Sequence, residues 1–191
     1  MIRHIAAPFA LFALFIVSAA PVGAQTFDTR ASAAYVLDHS TGVVLLEKNA
    51  DDPLPPASML KLMTLYMAFE AINPLNGQDP FLTVDDVLPV SQHCMDYTGS
   101  TMFLDTTDRV RVDDLLRGII VLSGNDASCV IAEGLSRNGT EAGFAQQMTV
   151  RARQLGMLNS SFANSNGWPA AGQRMSMRDL GLLANRLITD Y

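Results

Sequence analysis

The sequence PPASMLKLMTLYMAFEAI occupies residues 55–72 and decides how the rest of the chain can be arranged. Two prolines cannot lie inside a helix but readily precede one, and Ser58 is of a type favoured at a helix start. The apolar run after it contains no helix breaker before Asn73 and Pro74. This stretch therefore predicts a buried helix that reaches about Ile72, with Ser58 as its cap or first residue.

Lys61 follows Ser58 by three residues, which predicts that the amine and the hydroxyl lie on one helix face, one turn apart. Such a pair has the parts of an activated nucleophile, provided that burial and positive potential remove the proton from the lysine. The first turn of a buried helix offers both, and its free N–H groups suit a developing oxyanion. On this stretch alone, a lysine that extends from the helix into solvent explains the sequence equally well.

The N-terminus has the three parts of a secretory signal peptide. Residues 1–4 are basic, residues 8–20 are apolar apart from one serine, and residues 22–24 offer small side chains for cleavage. We therefore predict a signal peptide over residues 1–24 and a domain over residues 25–191, in the periplasm or cell envelope. A membrane anchor is the alternative interpretation, but it needs about 20 apolar residues.

Charge and composition exclude several classes of partner. The 13 basic and 19 acidic residues give a formal charge of −6, which becomes −7 once Arg3 leaves with the signal peptide. An acidic exported domain without a basic cluster argues against nucleic acid as a partner. The sequence shows neither metal-ligand spacing of Cys and His nor a Gly-rich phosphate loop, so we predict no metal and no cofactor.

The chain contains two cysteines, Cys94 and Cys129. An oxidising compartment would permit a disulfide between them, but two cysteines do not make a disulfide framework. Cys129 lies in a helical run, where a free cysteine behaves as a small buried hydrophobic residue. We therefore favour unpaired cysteines over a disulfide.

The order of the remaining segments predicts an α+β domain, with strands first and mostly helices afterwards. Two β-rich runs separated by a short polar loop that ends in glycine predict a β-hairpin. One hairpin is too little sheet to be stable alone. The predicted segments are the hairpin at 33–48, extended pieces at 81–90 and 101–104, and helices at 112–122, 127–135, 140–155 and 180–188.

A second candidate site is Ser123-Gly124-Asn125, between two apolar helical runs. An ordinary helix–helix turn explains these residues, since all three types are common in turns. Alternatively, the serine relays a proton, the glycine lets backbone approach the site, and the asparagine positions a substrate peptide. A histidine base is the weaker hypothesis, because His39 and His93 lie in loops and no Gly-x-Ser-x-Gly elbow is present.

Taken together, residues 58–61 and 123–125 resemble the first two motifs of the penicillin-recognising serine enzymes. More closely, they resemble the low-molecular-mass penicillin-binding proteins that are serine-type D-alanyl-D-alanine carboxypeptidases. The resemblance covers nearly all of residues 33–188 and includes residues 99–104 and 115–118. It implies a β-lactamase/transpeptidase-like fold, in which an antiparallel sheet carries a helical subdomain.

The resemblance also implies a role for each residue of the two motifs. Ser58 would attack the D-Ala-D-Ala carbonyl and form an acyl-enzyme, and Lys61 would take its proton. Ser123 would pass a proton to the leaving D-alanine, and Asn125 would hydrogen-bond either the substrate amide or Lys61. The partners implied are peptidoglycan stem peptides, with β-lactams as acylating inhibitors, in cell wall biogenesis.

The third motif of the family, Lys-Thr-Gly on an edge strand, is absent because no lysine follows Lys61. In the family that strand binds the terminal carboxylate, and the final strands join the opening hairpin. We therefore expect the chain to be an N-terminal fragment that is unstable or inactive when made alone. Membrane attachment through a C-terminal segment outside this chain stays open.

Three other functions compete with the carboxypeptidase. A class A β-lactamase carries Ser-Asp-Asn where this chain has Ser-Gly-Asn, and it needs a carboxylate base that we cannot place. A D,D-endopeptidase has similar motifs. A non-catalytic module that binds peptidoglycan or penicillin would keep the fold without the chemistry.

Overall fold

The computed structural model describes residues 29–191, so the predicted signal peptide lies outside the described residues. The elements are β1 (Ala34–Leu37), β2 (Val44–Lys48), a 3₁₀ turn (Ala57–Leu60), α1 (Lys61–Ile72), β3 (Val87–Pro89), α2 (Gln92–Met95), β4 (Arg109–Arg111), α3 (Val112–Leu122), α4 (Asn125–Leu135), α5 (Glu141–Gln154) and α6 (Met177–Asp190). The five predicted helices are confirmed as α1, α3, α4, α5 and α6, with ends that differ by a few residues. None of the helices in residues 29–191 has the length and hydropathy to cross a bilayer.

The centre of the molecule is α4, which other elements surround and bury on almost all sides. Nine of its eleven residues are buried, and it packs against α1, α2, α3 and α5. Gly134 lets β3 approach closely, because a Cβ at this position would lie 2.7 Å from the Leu88 side chain. The first residue of this buried helix is Asn125, so the second predicted motif is fixed to the core.

The predicted hairpin is confirmed as the antiparallel pair β1–β2. Its turn is closed by the Asp38 carboxylate, which accepts hydrogen bonds from the backbone N–H groups of Ser40 and Thr41. The hairpin packs on α6, and Arg178 of α6 forms ion pairs with Glu47 and Asp51. Within the described residues, β1 and β2 form a sheet of only two strands.

The start of α6 has one half of a capping box. The Ser176 hydroxyl accepts a hydrogen bond from the Asp179 N–H, as the pattern requires. The Asp179 carboxylate does not return to the cap, since it accepts hydrogen bonds from Asn159 N–H and the Ser160 hydroxyl instead. Asp179 therefore ties the preceding loop to the helix start.

Two extended predictions need correction. Of residues 81–90, only β3 is a strand, and it pairs with β4, for which the sequence predicted no strand. Residues 101–104 form no strand, because the Asp126 carboxylate accepts hydrogen bonds from the backbone N–H groups of Met102 and Leu104. One side chain thus takes the place of a neighbouring strand.

The interpretation of Cys94 and Cys129 as unpaired residues is wrong. They form a disulfide between α2 and α4, with their Cα atoms 5.3 Å apart. The pairing was not apparent from the sequence because the segment around Cys94 reads as an irregular loop. In the structure Ser91 caps a short helix there, accepting a hydrogen bond from the Cys94 N–H, and this helix lies against α4.

Candidate active site

Ser58 lies in the 3₁₀ turn that leads into α1, not at the cap of an α-helix as the sequence suggested. In a 3₁₀ turn the residues i and i+3 are eclipsed, so Ser58 is aligned with Lys61 at the first position of α1. The N-cap of this turn is Pro56, and Ser58 is exposed. Its hydroxyl is therefore held beside Lys61 while it remains open to a substrate.

Lys61 is only 4% exposed and donates three hydrogen bonds from Nζ. The acceptors are Ser58 Oγ at 3.2 Å, Asn125 Oδ1 at 2.8 Å and the backbone carbonyl of Asn166 at 2.9 Å. Burial lowers the pKa of Lys61 from 10.5 to about 8. The interpretation in which this lysine extends into solvent is therefore wrong.

Asn125 connects Lys61 to the loop that follows α2. Its side-chain Oδ1 accepts from Lys61, and its Nδ2 donates to the carbonyl of Thr98 at 2.8 Å. Its backbone N–H donates to the carbonyl of Ser100 at 2.7 Å. Of the two contacts proposed for Asn125, the structure contains the one to Lys61.

Ser123 lies at the C-terminal cap of α3, two residues before Asn125. It adopts a left-handed conformation with φ of 58° and ψ of 38°, which ends one helix and lets the next begin at once. The residue is half-buried, and within residues 29–191 its hydroxyl has no hydrogen-bond partner. Ser123 thus neighbours the cluster in sequence but is not joined to it by a hydrogen bond.

The segment 164–168 is a part of the site that the sequence did not identify. It supplies the Asn166 carbonyl to Lys61, and every residue type has such a carbonyl, so only the Asn-Gly turn signal marks the place. Gly167 packs directly on the nucleophile turn, because a Cβ there would lie 1.9 Å from the Ala57 carbonyl oxygen and 3.0 Å from Ser58 N. With φ of +87°, this position also favours glycine.

A buried carboxylate, Glu141 at the start of α5, anchors that segment. It accepts hydrogen bonds from the backbone N–H of Ser165 at 2.9 Å and from its hydroxyl at 2.5 Å. The Ser165 carbonyl in turn accepts from Thr64 of α1 at 2.6 Å. The same carboxylate accepts from Tyr97 at 2.7 Å and lies 2.7 Å from His93 Nε2. Glu141 thus joins α5, α2 and the segment 164–168 behind Lys61.

Neither histidine of the described residues hydrogen-bonds to Ser58 or Lys61. His93 pairs with Glu141, and His39 is hydrogen-bonded to Asn185 on the surface. The donor atoms of His93, Cys129 and Glu141 lie within 4.8 Å of one another, which suits a metal in principle. Cys129 is not available as a metal ligand, because metals bind the thiolate form of cysteine and the Cys129 sulfur is bonded to Cys94.

A serine beside a buried lysine, on a helical core flanked by an antiparallel hairpin, defines the penicillin-binding and transpeptidase class of folds. Solved structures of that class are similar to this chain. They include the D-alanyl-D-alanine carboxypeptidase DacD from Francisella tularensis, with a TM-score of 0.79 and 35% identity, over 86% of this chain and 38% of that one. Penicillin-binding protein D2 from Listeria monocytogenes has a TM-score of 0.70 and 30% identity, over 84% of this chain and 63% of that one.

The chain belongs to the peptidase S11 family, described as D-alanyl-D-alanine carboxypeptidase, whose model matches residues 19–191. A curated relative, the D-alanyl-D-alanine carboxypeptidase DacF of Bacillus subtilis, is 35% identical over 158 residues, which are 83% of this chain and 39% of the relative. The chain spans less than half the length of the first curated relatives that it matches. The resemblance inferred from the motifs at residues 58–61 and 123–125 is therefore confirmed at the level of family and fold.

Proposed function

We propose that the protein carrying this chain is a serine-type D-alanyl-D-alanine carboxypeptidase of the cell envelope, with residues 25–191 as part of its catalytic domain. The observation that carries the proposal is the contact between the exposed Ser58 hydroxyl and the buried Lys61 amine, 3.2 Å apart. An amine with a pKa near 8 is partly neutral at physiological pH, and a general base works best when its pKa lies near the working pH. Family membership supports the choice of substrate.

In the acylation step, Ser58 Oγ attacks the carbonyl carbon between the two D-alanines, and its proton passes to the neutral amine of Lys61. The tetrahedral adduct collapses as its C–N bond breaks, and the proton held by Lys61 passes through Ser123 to the amine of the leaving D-alanine, which leaves Lys61 neutral again. Asn125 and the Asn166 carbonyl keep the Lys61 amine beside Ser58 during this exchange. The products of this step are free D-alanine and an ester on Ser58.

In the second step, water attacks the ester carbonyl and gives a proton to Lys61. The Ser58 oxygen then leaves and takes that proton from Lys61, which restores the serine and releases the shortened peptide. A β-lactam would enter the first step as a substrate mimic and leave a more persistent ester. The ampicillin-bound structure of the similar Listeria monocytogenes protein supports this part of the proposal. Export, and any membrane attachment through a segment beyond residue 191, stay predictions.

The test uses the full-length protein that carries this chain and a stem pentapeptide that ends in D-Ala-D-Ala. We expect release of D-alanine from the wild type, and a loss of at least a thousandfold in Ser58→Ala. The matched control is Ser32→Ala, which removes an exposed hydroxyl and should retain wild-type activity. Absence of D-alanine release from a folded wild type would contradict the proposal, and rapid release of bound penicillin would instead indicate a β-lactamase.

A further inference from the structure

Three side chains of types that bind metals, His93, Cys129 and Glu141, lie together outside the steps proposed for Ser58 and Lys61. Their donor atoms are within 4.8 Å of one another. The imidazole comes from α2, the sulfur from α4 and the carboxylate from the start of α5. Cys94 joins them, because its sulfur is bonded to that of Cys129. The four residues are referred to below as the His93 cluster.

The spacing of the donor atoms suits a zinc ion. Zinc binds nitrogen and oxygen at about 2.0–2.2 Å and sulfur at about 2.3 Å, so tetrahedral ligand atoms lie about 3.3–3.8 Å apart. His93 Nε2 and Glu141 Oε2 are 2.7 Å apart and would separate by about 0.6 Å to admit the ion. The His93 side chain is free to move by this amount because it is 58% exposed. Its exposure also gives the ion a path from solvent to the cluster.

The carboxylate of the cluster is held in position by residues around it. Ser165 donates two hydrogen bonds to Glu141 Oε1, from its N–H at 2.9 Å and from its hydroxyl at 2.5 Å, and Oε2 faces His93. Tyr97 donates to Oε2 at 2.7 Å, and its ring packs edge-on against the imidazole. Contacts of this kind orient the ligands of a metal centre and strengthen its binding.

The two sulfurs are available to a metal only while the disulfide is open. Both cysteines are thiols until an oxidant joins them, and each thiol gives up its proton when it binds zinc. The ion would then be surrounded by two thiolates, one imidazole and one carboxylate. Cys94, Cys129 and Glu141 are all buried, so the charge of the ion compensates negative charge that solvent does not reach.

We infer that the dithiol form of this protein binds one zinc ion through His93, Cys94, Cys129 and Glu141. The ion takes the place of the disulfide and holds α2 against α4 until the cysteines are oxidised. Bound zinc and the closed disulfide exclude each other, because both use the same two sulfurs. The ligands come from three elements that are distant in sequence, which is why no metal-ligand spacing marks them there.

The test titrates zinc into the full-length protein after reduction with tris(2-carboxyethyl)phosphine. The phosphine breaks the S–S bond and becomes the phosphine oxide with oxygen from water, and two thiols form. With a chromogenic chelator as competitor, we expect one zinc ion per chain and a Kd of about 10 nM or lower, as in structural sites with thiolate ligands. Cobalt(II) in place of zinc should show the visible absorption of a tetrahedral thiolate centre. The oxidised protein should bind zinc at least a thousandfold more weakly.

His93→Ala should raise the Kd of the reduced protein for zinc at least tenfold. The matched control is His39→Ala, which removes a surface imidazole that is hydrogen-bonded to Asn185, and it should stay within twofold of wild type. Zinc should also raise the denaturant midpoint of the reduced wild type, and raise it less in His93→Ala, because a ligand that binds the folded state stabilises it.

Failure of the reduced wild type to bind zinc would overturn the inference whether or not the reduced chain is folded, since binding at a structural zinc site drives folding. Equal Kd values for His93→Ala and His39→Ala would also overturn it, because the sulfurs would then bind the metal without the rest of the cluster. Equal binding by the oxidised and reduced proteins would do the same. None of these outcomes depends on release of D-alanine, so the proposed function is tested separately.

Discussion

At the scale of single residues, the surroundings of Lys61 explain why its amine suits proton transfer. Its three hydrogen-bond acceptors are a hydroxyl, a side-chain amide and a backbone carbonyl, and none of them carries charge. A carboxylate in their place would favour the ammonium form and keep the proton on the lysine. Burial without a counter-charge favours the neutral amine, and this is the physical cause of the lowered pKa.

The first prediction concerns the pH dependence of Ser58 acylation by benzylpenicillin. The neutral amine of Lys61 is the base, and its fraction increases as the pH rises through the pKa near 8. The acylation rate constant should therefore rise roughly a hundredfold from about pH 6 to about pH 9 and then level off. Stopped-flow or gel-based labelling measures this rate. A flat profile over that range would contradict the assignment of Lys61 as the base.

The second prediction concerns Gly167→Ala, with Gly172→Ala as its control. Both glycines have φ near +80°, so alanine strains the backbone at both by about 1–2 kcal/mol. Only at Gly167 would the new Cβ collide with backbone, at the Ala57 carbonyl beside Ser58. We expect penicillin acylation to slow at least tenfold in Gly167→Ala and by less than twofold in Gly172→Ala. Equal rates in the two variants would show that this close packing does not position the nucleophile.

At the scale of elements, Glu141 makes the start of α5 the support of two other segments. Its carboxylate accepts hydrogen bonds from Ser165, whose neighbour Asn166 holds Lys61, and from Tyr97, which lies two residues after α2. Buried carboxylates persist when their oxygens are fully hydrogen-bonded, and Glu141 meets this condition at 4% exposure. The position of the Asn166 carbonyl thus depends on a residue that lies outside both sequence motifs.

The third prediction is that Glu141→Gln destabilises the folded protein by about 1–3 kcal/mol. Glutamine can still accept from Ser165, but its NH₂ group would face the donors of Tyr97 and His93. Denaturant unfolding of the full-length protein measures the loss. Asp79→Asn, an exposed change of the same kind, should remain within about 0.5 kcal/mol of wild type. Equal stability of the two variants would contradict the supporting role of Glu141.

Elements and motifs differ in how far the sequence could predict them. The helix after Pro56 was predictable because breakers bound a long apolar run, whereas its 3₁₀ start depends on packing of Gly167 against the turn. Helix α2 is only four residues long, too short for a periodicity to appear, and the disulfide was missed with it. Ser58 and Lys61 were paired from their spacing, Asn125 was assigned to the same site through the family resemblance, and the structure brings the three together. The contact of Lys61 with the Asn166 carbonyl was not predicted, because every residue type has a backbone carbonyl and the sequence does not show which one is used.

At the scale of the whole molecule, the Cys94–Cys129 disulfide fastens α2 to the central helix one turn after Asn125. The loop that follows α2 supplies the carbonyls that hold Asn125. The disulfide therefore links covalently the two segments, α2 with its following loop and α4, that form one side of the candidate site. The disulfide also joins two residues that are 35 positions apart in the sequence, which lowers the conformational entropy of the unfolded chain.

The fourth prediction is that the double variant Cys94→Ala, Cys129→Ala loses about 3–4 kcal/mol of stability by the chain-entropy account. The wild type treated with dithiothreitol should unfold at the same denaturant concentration as the untreated double variant. Dithiothreitol should leave the double variant unchanged, which controls for other effects of the reductant. Identical midpoints for oxidised wild type and double variant would contradict a stabilising disulfide.

The measurement that tests the central claim most directly is location of the covalent bond that benzylpenicillin forms with the full-length protein. Mass spectrometry of the intact protein should show one penicilloyl group, and peptide mapping should place it on the peptide that contains Ser58. The adduct should be absent from Ser58→Ala and present in the Ser32→Ala control. An adduct on another residue, or one that persists in Ser58→Ala, would contradict the assignment of Ser58 as the nucleophile activated by Lys61.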